Sequence, residues 1–159
     1  MSGGTLPLDG LYQLGFTTHD IDCAKQVLGE RYGLTRWRDR SNGLKMTTAH
    51  AYAGESMIEI IQPGPEGHII YLEHMPLGDG VIRLHHLGRR IADQAAWDGL
   101  QRGIETSGLD VPMGGVVMNG DLHYAYVDTR ADLGIFSEYV WCRGAAKSLY
   151  DDVPQNLGQ

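Results

Sequence analysis

Apolar residues fall along this chain in two rhythms. In two stretches they recur every third or fourth position: Ala24, Val27, Leu28 and Tyr32 follow Asp20, and Trp97, Leu100 and Ile104 follow Asp93. That spacing gathers them on one face of an α-helix. Gly33 and Gly108 close the two stretches, where a helix end commonly needs a residue of positive φ, so both helices carry start and stop signals. The second rhythm is one of short strand-like runs, at 35–40, 44–53 and 56–62 after the first helix and at 111–118, 122–128 and 134–142 after the second.

The two halves also open alike. Leu11-Tyr12-Gln13-Leu14-Gly15 is echoed by Leu84-His85-His86-Leu87-Gly88, each just ahead of its helix. Each half therefore reads βαβββ. The expected fold class is α+β, with two tandem βαβββ modules at 8–63 and 81–143, a linker rich in Pro and Gly at 64–80, and a tail at 144–159 trailing over the surface. A sheet with one helix is covered on one face only, which gives the two curved sheets an incentive to enclose a shared pocket.

The closing strand of each half centres a carboxylate among apolar neighbours: Met57-Ile58-Glu59-Ile60-Ile61 and Phe136-Ser137-Glu138-Tyr139-Val140. Burying a carboxylate is costly unless it is paired, neutralised or bound to a cation. Strand alternation puts Glu59 on the face of Met57 and Ile61, and Glu138 on that of Phe136 and Val140, with the opposite parity turned to the helix. In the opening strands Gln13 and His86 hold the same repeat position, which selects His86 over His85. Modules related by a pseudo-twofold axis would turn Gln13, Glu59, His86 and Glu138 toward one point. An amide oxygen, two carboxylates and an imidazole suit one divalent metal ion such as zinc, nickel, cobalt or manganese.

Composition narrows the partners. The 159 residues, 42% hydrophobic and 21% charged, are ordinary for a globular chain, and 22 glycines agree with many short elements joined by turns. A net charge of -7 disfavours nucleic acid and anionic membrane surfaces as partners. Cys23 and Cys142 form no CxxC pair, and no run approaches the roughly 18 apolar residues of a membrane span, so a cytoplasmic protein is expected. His68 and His74 fall in the linker and are expected to be solvated. His123, Tyr52, Tyr124, Tyr126, Trp141 and Met118 are candidates for lining a substrate pocket, with His123, Tyr52, Tyr124 and Trp141 the principal ones.

In order along the chain, the strand with Gln13, the helix start Asp20-Ile21-Asp22-Cys23-Ala24, the ending Tyr32-Gly33-Leu34, the strand with Glu59, His85-His86-Leu87-Gly88 and Leu133-Gly134-Ile135-Phe136-Ser137-Glu138 resemble the vicinal-oxygen-chelate superfamily. That superfamily includes glyoxalase I, methylmalonyl-CoA epimerase, extradiol dioxygenases and bleomycin-resistance proteins. The Gln, Glu, His, Glu order is similar to that of glyoxalase I. The resemblance implies a metal-dependent isomerase, epimerase or lyase that abstracts a proton next to a carbonyl of a small substrate, with Glu138 or Glu59 as the base and a homodimer as the assembly. Glu138 is favoured, because the second-half glutamate is the usual base in glyoxalase-like enzymes. The alternatives are a sequestration protein on the same fold and a ring-cleaving dioxygenase. The latter would need two histidines and a carboxylate on its iron, where this chain has Gln13.

Overall fold

The computed structural model describes residues 5–156; residues 1–4 and 157–159, the outermost parts of the opening segment and the tail, lie outside the described residues. It is an α+β fold of two βαβββ modules. The first has β1 (Leu11–Thr17), α1 (Ile21–Tyr32), β2 (Arg38–Asn42), β3 (Met46–Ala53) and β4 (Ser56–Pro63). After a short helix α2 (Ile69–Leu72), the second has β5 (Arg83–Arg90), α3 (Gln94–Ser107), β6 (Met113–Val117), β7 (Leu122–Val127), a one-turn helix α4 (Arg130–Leu133) and β8 (Phe136–Cys142). The strand orders are β1-β4-β3-β2 and β5-β8-β7-β6, so the repeat holds in topology as well as in sequence. In each, the first and last strands pair parallel and the rest antiparallel.

Both long helices begin and end where the sequence signals place them. The Asp20 carboxylate accepts from the Asp22 and Cys23 amides at 3.1 and 3.0 Å, and that of Asp93 from Ala96 at 2.9 Å. Caps of this kind are typically worth about 1 kcal/mol each. Gly33 (φ 75°) and Gly108 (φ 68°) terminate the helices in the left-handed region. The apolar face of α1, with Ile21, Ala24 and Leu28, packs on Ala49 and Ile60, while that of α3, with Trp97, Leu100 and Ile104, packs on Ala125, Val127, Tyr139 and Trp141. Burying a large side chain such as Leu100 contributes roughly 1.5–3 kcal/mol. Each sheet thus gives one face to its helix, and on the other it carries polar side chains among buried apolar ones such as Met57, Ile61, Phe136 and Val140.

By backbone contacts the chain forms two compact units. Among the described residues, one joins 5–12 to His86–Tyr150, and the other joins Gln13–His85 to 151–156. In the first, Arg90 N–H donates to Gly10 O at 2.8 Å and Tyr139 Oη to Pro7 O at 3.1 Å. In the second, the tail bridges the end of β3, with Tyr52 N–H donating to Pro154 O at 2.8 Å and Asn156 N–H to Tyr52 O at 3.0 Å. From Asp151 to Asn156 the tail is therefore hydrogen-bonded to the first module.

The linker also differs from expectation. Tyr71, Ile70 and His74 are buried, and Thr17 Oγ1 donates to His74 O at 2.6 Å. His74 Nε2 donates to Leu84 O at 2.9 Å, which corrects the solvated reading of that side chain: a backbone carbonyl satisfies the imidazole, so its burial costs little. His68 is exposed and caps α2.

Candidate functional site

Register decides which side chains share the helix-free face of the first module. Gln13 pairs with Met57 and Gly15 with Glu59 across β1 and β4, while His50 pairs with Glu59 and Tyr52 with Met57 across β3 and β4. Gln13, Glu59, His50 and Tyr52 thus lie on one face, opposite the α1 core. Gln13 is buried at 1% exposure. Gly15, at the position paired with Glu59, places no side chain beside the carboxylate. His50 Nε2 lies 3.0 Å from Glu59 Oε1, with side-chain exposures of 6% and 14%.

The second module repeats this arrangement with other residues. His86 pairs with Phe136 and Gly88 with Glu138 across β5 and β8, and Tyr126 pairs with Glu138 across β7 and β8. His86 is fully buried, and its Nε2 lies 3.5 Å from Glu138 Oε2. That separation is long for a well-formed hydrogen bond, and the contact is an ion pair only when the imidazole is protonated. The Tyr126 ring meets His86 edge-on, with centroids 5.1 Å apart. Tyr124, paired with Val140, shares the Glu138 face.

The adjacent histidines diverge. His85 is fully buried in the other unit, where Nε2 donates to Ile70 O at 3.0 Å and the ring lies against Tyr71 with centroids 4.9 Å apart. Its ring is committed to holding the segment after β4.

Three of the pocket candidates sit elsewhere. Trp141 lies three residues beyond Glu138, an odd step along a strand, and His123 is its register partner on β7. Both therefore face α3. His123 packs against Trp97 and Trp141, with centroids 5.5 and 4.7 Å away, and its Nε2 donates to Gly120 O at 3.2 Å. Trp141 is a core residue at 6% exposure. Met118 is exposed in a turn after β6.

One contact of the site was not foreseen from sequence, that of His50 with Glu59. The signal was available. A two-residue turn, Gly54-Glu55, joins β3 to β4, and counting back from it through the Ala53–Ser56 pair brings His50 opposite Glu59.

Ionisation beside these faces is set by burial and by arginine. Burial pushes the Tyr139 phenol above its ordinary value, against the opposing effects of Arg89 and Ser137, and pushes the Cys142 thiol up despite Arg90. A raised thiol is a poor nucleophile. The hydrogen bond from Arg38 holds the Asp152 carboxyl below its usual range.

As a donor set, a buried amide, two carboxylates and an imidazole fit a borderline or hard divalent cation, and the hydrogen bond on Glu59 is what a ligating carboxylate ordinarily has. Each module offers two of the four donors. Among the described residues, no group of three or more His, Cys, Asp or Glu side chains stands close enough together to hold an ion. No helix of the described residues is long and apolar enough to cross a membrane.

No protein-family model matches the sequence, and no curated protein matches it. Solved structures do match in fold. Methylmalonyl-CoA epimerase from Mycobacterium tuberculosis superposes with a TM-score of 0.62 at 16% identity, over 93% of this chain and 97% of that one. A variant of the Streptomyces coelicolor methylmalonyl-CoA epimerase in complex with 2-nitronate-propionyl-CoA gives 0.57 at 16% identity, over 87% and 100%. A hypothetical protein from Bacillus halodurans C-125 gives 0.55 at 16%, over 86% and 96%. At such identities the likeness speaks for the fold alone, and the fold is like that of these methylmalonyl-CoA epimerases.

Proposed function

We propose that this protein is a divalent-metal-dependent, glyoxalase-like isomerase, epimerase or lyase, acting as a homodimer on a small organic substrate by moving a proton next to a carbonyl. Gln13, Glu59, His86 and Glu138 would hold the ion. The observation that carries the reading is the repeated register: each module sets a carboxylate beside a glycine and near a second donor on its helix-free face, and His86 and Glu138 are 3.5 Å apart at almost complete burial. A buried carboxylate is best compensated by a cation.

The bound ion would supply Lewis-acid polarisation of the substrate carbonyl. Glu138 takes the proton from the neighbouring carbon and returns it, with Glu59 as its counterpart in the first module. Tyr52 and Tyr124, on the faces of Glu59 and Glu138, offer phenols to the substrate. The complexes of methylmalonyl-CoA epimerase with 2-nitronate-propionyl-CoA and with methylmalonyl-CoA favour an acyl thioester as the substrate class, with an α-hydroxy carbonyl the other candidate.

The test is elemental analysis of protein purified without added metal, together with deuterium incorporation from solvent into propionyl-CoA and hydroxyacetone. About one divalent ion per chain and exchange into either compound support the reading. Metal-free protein that binds such compounds without exchange would instead identify a sequestration protein.

A further inference from the structure

We infer that the outer edge of β6 is the seam of the homodimer, where a second copy of this chain pairs its own β6 antiparallel about a two-fold axis at Gly115. The inference rests on the homodimer of the reading proposed above and needs neither its metal nor its chemistry. β6 is the outermost strand of the second module, and beyond it no strand stands among the described residues. The backbone fixes which groups it offers there. Along an antiparallel strand, successive residues turn their N–H and C=O to alternate sides. Asp128 N–H donates to Asp110 O and Arg143 N–H to Asp121 O, so even-numbered positions of β7 face β6 and odd-numbered ones face β8. Leu122, Tyr124 and Tyr126 therefore bond Val117, Gly115 and Met113, and Gly114 and Val116 turn both backbone groups outward.

Such an edge pairs with another chain unless charge, proline or a covering segment blunts it. The equivalent strand of the first module is blunted: in β2, Asp39 meets Lys25 of α1 at 2.9 Å and Arg38 meets Asp152 at 2.6 Å. The repeat-mates differ. Asp98 stands five residues after its helix cap, as Lys25 does, and Gly114 pairs with Ala125 as Asp39 pairs with Ala49. The second module thus lacks the strut between helix and edge, and a groove of about 510 Å³ lies between α3 and β6, lined by Trp97, Asp98, Gly114 and Val116. No residue of β6 is charged, and Val116 and Val117 are 57% and 44% exposed. In a chain of net charge -7, a neutral strand is where a like-charged copy can approach.

The strand itself selects the register. Hydrogen-bonded pairs form between outward-turned residues, which allows a two-fold axis at residue 114, 115 or 116. An axis at Gly114 sets Val116 against Pro112, which has no N–H, and an axis at Val116 sets Gly114 against Met118, whose φ of 53° belongs to the turn. An axis at Gly115 pairs Gly114 with Val116 in both directions and uses every outward N–H and C=O. The two Gly115 residues then meet as a close pair without side chains, and each Val116 enters the groove over the partner's Gly114, beside Trp97 and Asp98. Because the same patch serves both copies, the contact closes as a dimer and does not propagate.

The experiment is sedimentation equilibrium of the full chain over a wide concentration range, for the parent, Val116→Asp and Val116→Lys, with circular dichroism to check folding. Val116→Asp sets a carboxylate near the partner's Asp98 and removes apolar contact twice over, so the dimer dissociation constant should rise roughly tenfold or more. Val116→Lys should weaken the dimer less, because its ammonium faces the same carboxylate. In parallel, Gly115→Cys and Val117→Cys are oxidised in chains whose Cys23 and Cys142 are replaced by serine. A Cβ at Gly115 meets only Tyr124 ring and hydroxyl atoms, at 3.7 and 3.9 Å, so the substitution fits. Across the axis two such residues stand about 4.5 Å apart at Cα, within disulfide reach, and two at position 117 about 14 Å apart, beyond it. Gly115→Cys should therefore cross-link and Val117→Cys should not. A dimeric parent whose Val116→Asp variant dimerises equally well, or whose Gly115→Cys variant cross-links no better than Val117→Cys, overturns the seam and leaves the homodimer standing. Equal loss in the aspartate and lysine variants overturns the register. A parent that stays monomeric at every concentration overturns both seam and homodimer, while metal content and proton exchange still decide the reaction. If Val116→Asp does not fold, the two cysteine variants decide.

Discussion

The two modules have one scaffold and two chemistries. Both pair a glycine of the opening strand with a glutamate of the closing one, Gly15 with Glu59 and Gly88 with Glu138, and both cover the opposite face with a helix capped by aspartate and ended by glycine. On the remaining face the first module surrounds its glutamate with an amide and an imidazole, and the second with an imidazole and a phenol. Sheet register and capping fix the frame, because they involve main chain and core. Residues on the helix-free face vary without disturbing either, which is how a duplicated frame can carry unequal roles. Substitutions that treat the modules alike measure how unequal they are.

The largest difference is expected between the glutamates. Removing a general base typically lowers rate about 10² to 10⁴-fold. Glu138→Gln should lower solvent-proton exchange into a bound acyl thioester or α-hydroxy carbonyl by that order, whereas Glu59→Gln should mainly weaken metal binding. The comparison is made at saturating metal, since either change removes ligand charge. Exchange in metal-loaded Glu138→Gln as fast as in the parent would break the assignment and make Glu59 the base.

The neighbouring histidines come next. His86→Ala should release the metal with little change in fold. His85→Ala should keep the metal but lose stability, because the Ile70 carbonyl loses a buried donor, a loss of about 1–3 kcal/mol. Metal content and urea midpoints of the two variants check both halves of the statement. Equal metal content would remove the repeat as a guide to ligands.

Much of this frame is legible in the sequence because it depends on local signals. Asp20 and Gly33 bound one helix, Asp93 and Gly108 the other, and alternation alone turns Ile58 and Ile60 away from Glu59. What escaped was mostly long-range. Nothing near His74 announces that Leu84 will offer it a carbonyl, and nothing near Asn156 announces Tyr52. His123 and Trp141 are different: with Glu138 placed, the odd step to Trp141 already turned it to the core, and the β7/β8 pairing carried His123 with it. Aromatic character drew them toward a pocket where parity ruled otherwise. His50 was likewise one hairpin count away.

The smallest effect concerns the outer strands. In the first module β2 reads Arg38-Asp39-Arg40-Ser41-Asn42, while its counterpart β6 reads Met113-Gly114-Gly115-Val116-Val117 and carries no charge. The charges on β2 have a use: Arg38 Nη1 is 2.6 Å from Asp152 Oδ1, and Arg40 Nη2 is 3.7 Å from Oδ2, which fastens the tail to the strand. The Arg38 hydrogen bond, aided by the charges of both arginines, holds the Asp152 carboxyl below its ordinary value. A carboxyl depressed by folding contributes tail docking that is fully present above its unfolded pKa and is lost as pH falls through the folded one. Because Asp152 is exposed, solvent screens the pair and the change should be slight. The amide signals of Tyr52 and Asn156, whose hydrogen bonds hold the tail, should therefore shift only at pH below the usual carboxylate range in the parent. In Asp152→Asn that titration should be absent, and the signals should already lie toward the parent's acidic position at neutral pH. The same low-pH shift in the variant would place the titrating group outside the Arg38–Asp152 pair and leave the tail held by its backbone bonds and by the side chains of Gln155 and Asn156.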